Sequence, residues 1–170
     1  MTLPPRVRDA ALVAHVVASV GWLGAAAAFL ALALAGLNAR DAATVAGAYL
    51  AMDVTTRLVI VPLALAALAT GLVMSLGTRW GLLRHYWVVI KLALTLVATL
   101  VLLMQVEPMR ALAALASEGA LEPGPMSAAR LSPVVHAAGG IVVLLTTTVL
   151  SVFKPRGLTA YGEREERPLD

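Results

Sequence analysis

The sequence predicts an all-α protein, an antiparallel four-helix transmembrane bundle with both termini cytoplasmic. Three observations carry this. The 170 residues are 60% hydrophobic and 14% charged, with a mean hydropathy of +0.87, whereas a soluble domain is about half apolar and a quarter charged. Four apolar stretches are near or above the ~20 residues that cross a hydrocarbon core of ~30 Å. None has the period-two alternation of a strand, and a backbone in lipid must bond within its own segment, so each stretch is a helix.

The first span runs from about Ala10 to Leu37 behind Arg6 and Arg8. At about 28 residues it outruns the 7–15 apolar residues of a secretion signal and is expected to be retained. Asn38 to Arg57 follows as a connection whose AATVAGAYLAM stretch is too short to cross; it extends the second helix or lies at the interface. The second span, about Leu58 to Leu76, should kink at Pro62, which lacks an N–H and crowds the Leu58 carbonyl. Thr78 to His85 is a tight turn, so spans two and three are antiparallel neighbours. The third span runs from about Tyr86 to Val106. The loop Glu107–Ser132 opens with an amphipathic MRALAALA piece and closes with turn-rich LEPGPMSAAR. The fourth span runs from about Pro133 to Phe153. Residues 1–153 are thus one membrane domain, and 154–170 form a charged tail expected to be disordered.

Charge sets the orientation. The side with both termini and the Thr78–His85 turn carries Arg6, Arg8, Arg79, Arg84, Lys154, Arg156, Arg164 and Arg167; the other side carries Arg40, Arg57, Arg110 and Arg130. The excess marks the cytoplasmic side. The pI of 9.8 has the same origin, because the cations flank apolar runs; no nucleic-acid partner is expected. Trp80, Tyr86 and Trp87 fit an interfacial aromatic belt. Arginine outnumbers lysine 11 to 2 in a chain rich in Ala, Leu and Val, as GC-rich bacterial genomes encode. The expected location is therefore a bacterial inner membrane, spanned several times.

Much chemistry is excluded. There is no cysteine, hence no disulfide or thiol nucleophile. There is no phosphate loop, HExxH, GxSxG or paired carboxylate, and no acid lies within the predicted spans. Ionisable groups in spans are costly and each is a functional candidate. His15, Ser19 and Trp22 share one helical face, Lys91, Thr95 and Thr99 a second, and His136, Gly140, Val143, Thr147 and Ser151 a third. At a rise of about 1.5 Å per residue, His15 and Lys91 both lie roughly 8 Å from the cytoplasmic end and can meet; His136 is about 15 Å or more from His15 in depth. Each has a plainer alternative. The histidines can bond across helices, and Lys91 can snorkel to the interface instead of acting unprotonated as ligand or base. Arg84 and His85, with Arg79, form a cationic rim suited to propionates or an anionic lipid head.

The text His15-Val-Val-Ala-Ser-Val-Gly21-Trp22-Leu-Gly24 in the first span, with Trp87-Val-Val-Ile-Lys91 at the entry to the third, resembles a loose group of small bacterial membrane proteins. They include the copper-resistance D membrane domain, a related family of unknown function and the HemJ-type protoporphyrinogen oxidases. SLGTRWGLLRHYWVVIK is similar to text in actinobacterial integral membrane proteins of unknown function. The resemblance spans all four helices loosely. It implies haem b as cofactor, with the first-span histidine and third-span lysine corresponding to His15 and Lys91. The chain departs from the haem-binding pattern in having no histidine between Gly36 and Leu83. Its scattered Met74, Met104 and Met109 make no MxxM copper cluster.

The function expected from sequence is binding of haem or another amphipathic ligand, such as a quinone, in an intramembrane pocket around His15 and Lys91. Arg84, His85 and His136 complete the candidate set. The alternatives are an accessory, assembly or lipid-interacting subunit and a small transporter subunit. The lipid bilayer is the expected partner. Gly21-x-x-x-Ala25, Gly24-x-x-x-Ala28 and Ala67-x-x-x-Gly71 permit packing within the bundle, a homo-oligomer or a membrane-protein partner.

Overall fold

The structure is a computed structural model that describes residues 4–77, 81–121 and 128–166. Arg79 and Trp80, the 122–127 part of the turn-rich loop and the tail end 167–170 lie outside the described residues. Four helices are long and apolar enough to cross a membrane, and the described residues contain no strand, only an isolated bridge.

Helix α1 (Pro5–Asn38) starts with proline in its first turn, where a missing N–H costs nothing. It ends where the Asn38 side chain donates to Leu34 O at 2.7 Å. The chain reverses through Asp41, whose carboxylate accepts the Thr44 N–H at 2.8 Å and so caps α2 (Ala42–Thr55). Beyond α2 the helix does not stop. A π-turn (Thr56–Ile60) leads directly into α3 (Val61–Leu76), making one apolar helix of 35 residues. The AATVAGAYLAM stretch therefore extends the second span. The disturbance expected at Pro62 is absorbed just before it: the Val61 N–H reaches back five residues to Thr56 O.

Helix α4 (Tyr86–Ser117) likewise outruns its expected end at Val106, carrying Pro108 inside it. Helix α5 (Ala128–Phe153) begins a turn ahead of Pro133. The tail, read from composition as disordered, carries the short helix α6 (Ala160–Glu166) and a bridge between Leu158 and His85.

α1 packs on α2, α3 and α5, and α4 packs on the same three, so the spans form a ring in chain order. The ring has two cores. Within the spans, Ala18, Trp22 and Ala26 meet Ile60, Ala64, Ala67 and Leu144. Lipid gives helices no hydrophobic reason to associate, so small side chains that let backbones approach carry the contact. At the face opposite the termini, Ala33 meets Val45, Tyr49, Met52, Met109, Ala113 and Ala116. This second core is where the long helices continue beyond ~20 residues. Arg130, 1% exposed, is buried beside it and donates to Gly36 O at 2.6 Å, covering a carbonyl in the open last turn of α1.

Gly36 is the close approach on which this far core depends. A Cβ there would lie 3.0 Å from Tyr49 Cε2 and 3.2 Å from Ala48 Cβ, whereas one at Gly24 would meet nothing within 4 Å. Gly36→Val should cost about 1–3 kcal/mol by overpacking, while Gly24→Ala should be neutral or stabilise by up to about 1 kcal/mol through helix propensity. Thermal unfolding in mild detergent measures both. The cap adds a pH dependence. The Thr44 N–H holds the Asp41 carboxyl below its ordinary value, so the folded group is the stronger acid. Its contribution is complete above the ordinary carboxylate value and is lost as pH falls through the lowered one. Hydrogen exchange at the Thr44 amide should accelerate relative to mid-helix amides over that acid range.

Candidate functional site

The structure brings some of the expected residues together and separates others. His15 faces α3. Its Nδ1 lies 3.1 Å from both Ala67 O and Thr70 Oγ1. The Thr70 hydroxyl donates to Ala66 O at 2.6 Å, and a carbonyl can only accept. Nδ1 therefore carries the imidazole proton and donates to both oxygens. Gly71 supplies the space: a Cβ there would lie 3.1 Å from His15 Cε1. This is the interhelical packing role, the plainer of the two readings.

Lys91 is half-buried, with Nζ 5.7 Å from the Trp87 ring centroid, one turn back toward the start of α4. It lies within electrostatic reach of His15, but no hydrogen bond joins them among the described residues. Arg84 and His85 sit just ahead of α4, where Arg84 O accepts the Thr159 N–H of the tail and the His85 ring lies 6.3 Å from that of Trp87. The hydroxyl stripes close on their own helices: Thr99 donates to Thr95 O, Ser75 to Gly71 O and Ser151 to Thr147 O.

His136 belongs to a different place. Its Nδ1 lies 2.8 Å from Ser132 O and its Nε2 lies 3.1 Å from Gln105 Nε2. The Ser132 carbonyl must accept, so Nδ1–H donates to it, and Nε2 accepts from the Gln105 amide. Both ring nitrogens are then engaged. Gln105 keeps a second N–H and its carbonyl oxygen for another partner.

This pair stands at a cavity of about 370 Å³. Trp22 and Phe29 of α1, Leu102 of α4 and Leu144 of α5 are among its walls, and no lining residue is charged. Val97, Val101 and Val135 line it and are also exposed on the bundle surface, so it opens sideways between α4 and α5. Three interruptions of the helical ladder lie among its walls. Thr56 and Ile60 come from the π-turn, Pro108 interrupts α4, and Pro133 interrupts α5. A proline removes one backbone bond and pushes the preceding turn aside, and π-turns displace a helix face. The spans separate where their ladders are broken, and the cavity lies there.

Neither His15 nor Lys91 lines this cavity. Along α3, Ile60 is seven residues from Ala67, about 10 Å of rise, so His15 and the cavity sit at different depths. The arrangement does not fit a haem. The His15 ring packs on Gly71, Lys91 turns to Trp87, and the His136 nitrogens are both bonded. Among the described residues, no group of three His, Cys, Asp or Glu could hold a metal ion.

No known protein family, curated protein or solved structure matches the chain. The likeness to haem-binding and copper-resistance proteins rests on the short motifs alone.

Sequence reasoning missed Gln105, Thr56 and the cavity role of Trp22. Gln105 had one visible signal, as the single glutamine of the chain placed in an apolar span. His15→Leu should leave the bundle folded and cost about 0.6 kcal/mol for each interhelical hydrogen bond lost. Thermal unfolding beside Thr70→Val and the double variant checks this, since the two changes remove a shared contact and should be less than additive.

Proposed function

We propose that this membrane protein binds a neutral amphipathic small molecule in the cavity between α1, α4 and α5, with its polar head on the Gln105–His136 pair. The carrying observation is a 370 Å³ cavity with no charged residue in its lining and with the bonded Ser132, His136 and Gln105 on its wall. Its volume falls in the range of small-molecule sites, about 300–1,000 Å³, and its plan is theirs: apolar walls with a few convergent polar groups. The free Gln105 N–H and oxygen suit a carbonyl or hydroxyl head. A charged head would enter an apolar site with no counter-ion and is disfavoured. A quinone-like ring on an apolar tail has the required chemistry, and the lateral opening gives it a route from the lipid.

The distribution of Lys and Arg supports a bacterial inner membrane with cytoplasmic termini, which puts the cavity in the half of the bilayer away from the cytoplasm. The reading is a binding role and invokes no reaction step.

A short-chain alkyl benzoquinone tests it. Saturating the purified protein at a hundredfold excess over Kd should stabilise it by about 2.7 kcal/mol, read as a rise in unfolding temperature. Gly140 lines the cavity, and a Cβ there meets nothing within 4 Å. Gly140→Phe should fill the space and abolish the shift; His136→Leu should weaken it while leaving the unliganded protein folded. Equal shifts in all three proteins would remove the assignment.

A further inference from the structure

The cavity has a donor that the Gln105–His136 pair does not use. Trp22 of α1 is 5% exposed and lines the cavity. Its indole N–H makes no hydrogen bond with any described residue. An indole N–H can only donate, and a buried tryptophan usually gives it a partner. The Thr56 hydroxyl on the same wall, by contrast, is satisfied by its own helix, donating to Met52 O at 2.8 Å. An unmade bond carries the desolvation cost of the donor, and a ligand oxygen would remove it.

Trp22 and Gln105 stand on diagonal helices of the ring, since α1 and α4 each pack on α2, α3 and α5. They also differ in depth. Ala98 and Leu102 pack against the core cluster that contains Trp22. Gln105 is three to seven residues farther along α4, roughly 5–10 Å of rise. A ligand oxygen must come within about 3 Å of each donor that it bonds. Two donors separated both across the bundle and along it call for two oxygens.

We propose that the ligand of this cavity carries two acceptor oxygens on opposite edges of one ring, one on the Gln105 N–H and the other on the Trp22 N–H. That makes it a neutral dione of the 1,4-quinone class. The inference rests on the cavity reading above and narrows it: a head with a single carbonyl or hydroxyl leaves the Trp22 N–H unmet. A dione supplies both acceptors and brings no charge to a wall that has no counter-ion. Trp22 is then a specificity-determining residue of the site.

Calorimetric titration of the full chain in mild detergent tests this with two probes of equal tail length: an alkyl 1,4-benzoquinone and an alkyl phenyl ketone, which has one oxygen. Trp22→Phe keeps an aromatic ring and removes the N–H. It should weaken quinone binding about fivefold, the worth of one hydrogen bond, and leave ketone binding unchanged. Gln105→Met should weaken both. Unchanged quinone affinity in Trp22→Phe overturns the proposal, and so does an equal loss for both probes, which would mark lost packing. An unliganded unfolding temperature close to the native one shows that Trp22→Phe is folded. If it is not, the indole 15N–H spectrum of the native protein carries the test. The Trp22 signal, assigned with Trp80→Phe and Trp87→Phe, should move downfield with the quinone and stay in place with the ketone; a signal that the quinone leaves unmoved overturns the proposal. Gly140→Phe separates the two readings. If it leaves quinone binding intact, the cavity reading fails and takes this inference with it. If it abolishes binding while Trp22→Phe changes nothing, the two-oxygen ligand alone is lost.

Discussion

A peptide group inside a bilayer has no water to bond, so each span must close its own hydrogen-bond ladder. The fold follows from that constraint. It makes the four spans helical and leaves hydroxyls such as Thr99 and Ser151 to bond back to their own helices. It also makes any interruption conspicuous. The ladder is interrupted at Thr56–Ile60, Pro108 and Pro133, on three separate spans, and all three interruptions reach one cavity. An interruption in lipid is tolerated where neighbouring protein covers the freed groups or where it lines a cavity. Their convergence gives the cavity a structural basis beyond its volume.

The far core keeps this weakened region from falling apart. α1, α2 and α4 continue beyond it and join through Tyr49, Met52, Met109 and Ala113. Arg130 ties α5 to the last turn of α1 at Gly36 O. The cavity is therefore bracketed by close packing at both levels, with Ala64 and Ala67 below it and Ala33 and Ala116 above. The Asp53–Arg57 ion pair, 2.6 Å between Nη2 and Oδ2, lies on the helix stretch entering the π-turn. Asp53 is buried and would be an uncompensated charge without its partner.

The helices were legible because apolar length is a strong signal. Pro62 marked the neighbourhood of a disturbance in the second span, since its missing N–H is written in the sequence, and the structure has a π-turn over Thr56–Ile60 just before it. The form of that break was not legible, because a π-turn depends on how the helix packs. AATVAGAYLAM looked too short to cross because its helix is shared with the next span. The extension of α4 past Val106 was hidden by Glu107 and Arg110, charges that end a span without ending a helix. The candidate site was legible only in part. His15 and Lys91 do lie near one another, but each turns to a different neighbour, and direction is not a property of spacing. The cavity joins Trp22, Gln105 and His136 across more than a hundred residues of sequence, so no local pattern announces it.

The polar contacts of the bundle differ between its two ends. Around Gln105 and His136 every hydrogen bond is neutral, and the walls carry no charge to balance an ion. At the start of α4 the tail is held by backbone bonds, Tyr86 N–H to Gly157 O and Thr159 N–H to Arg84 O. Desolvation without a counter-ion penalises a charged ligand in the cavity. The haem pocket expected from the sequence lay around His15 and Lys91, and neither residue lines the cavity. The only cavity-lining imidazole is His136, at the far end from the cationic rim and with both nitrogens bonded. The interhelical bonds of His15 to Ala67 O and Thr70 Oγ1, and the Gln105–His136 pair on the cavity wall, give these polar residues two roles at two depths.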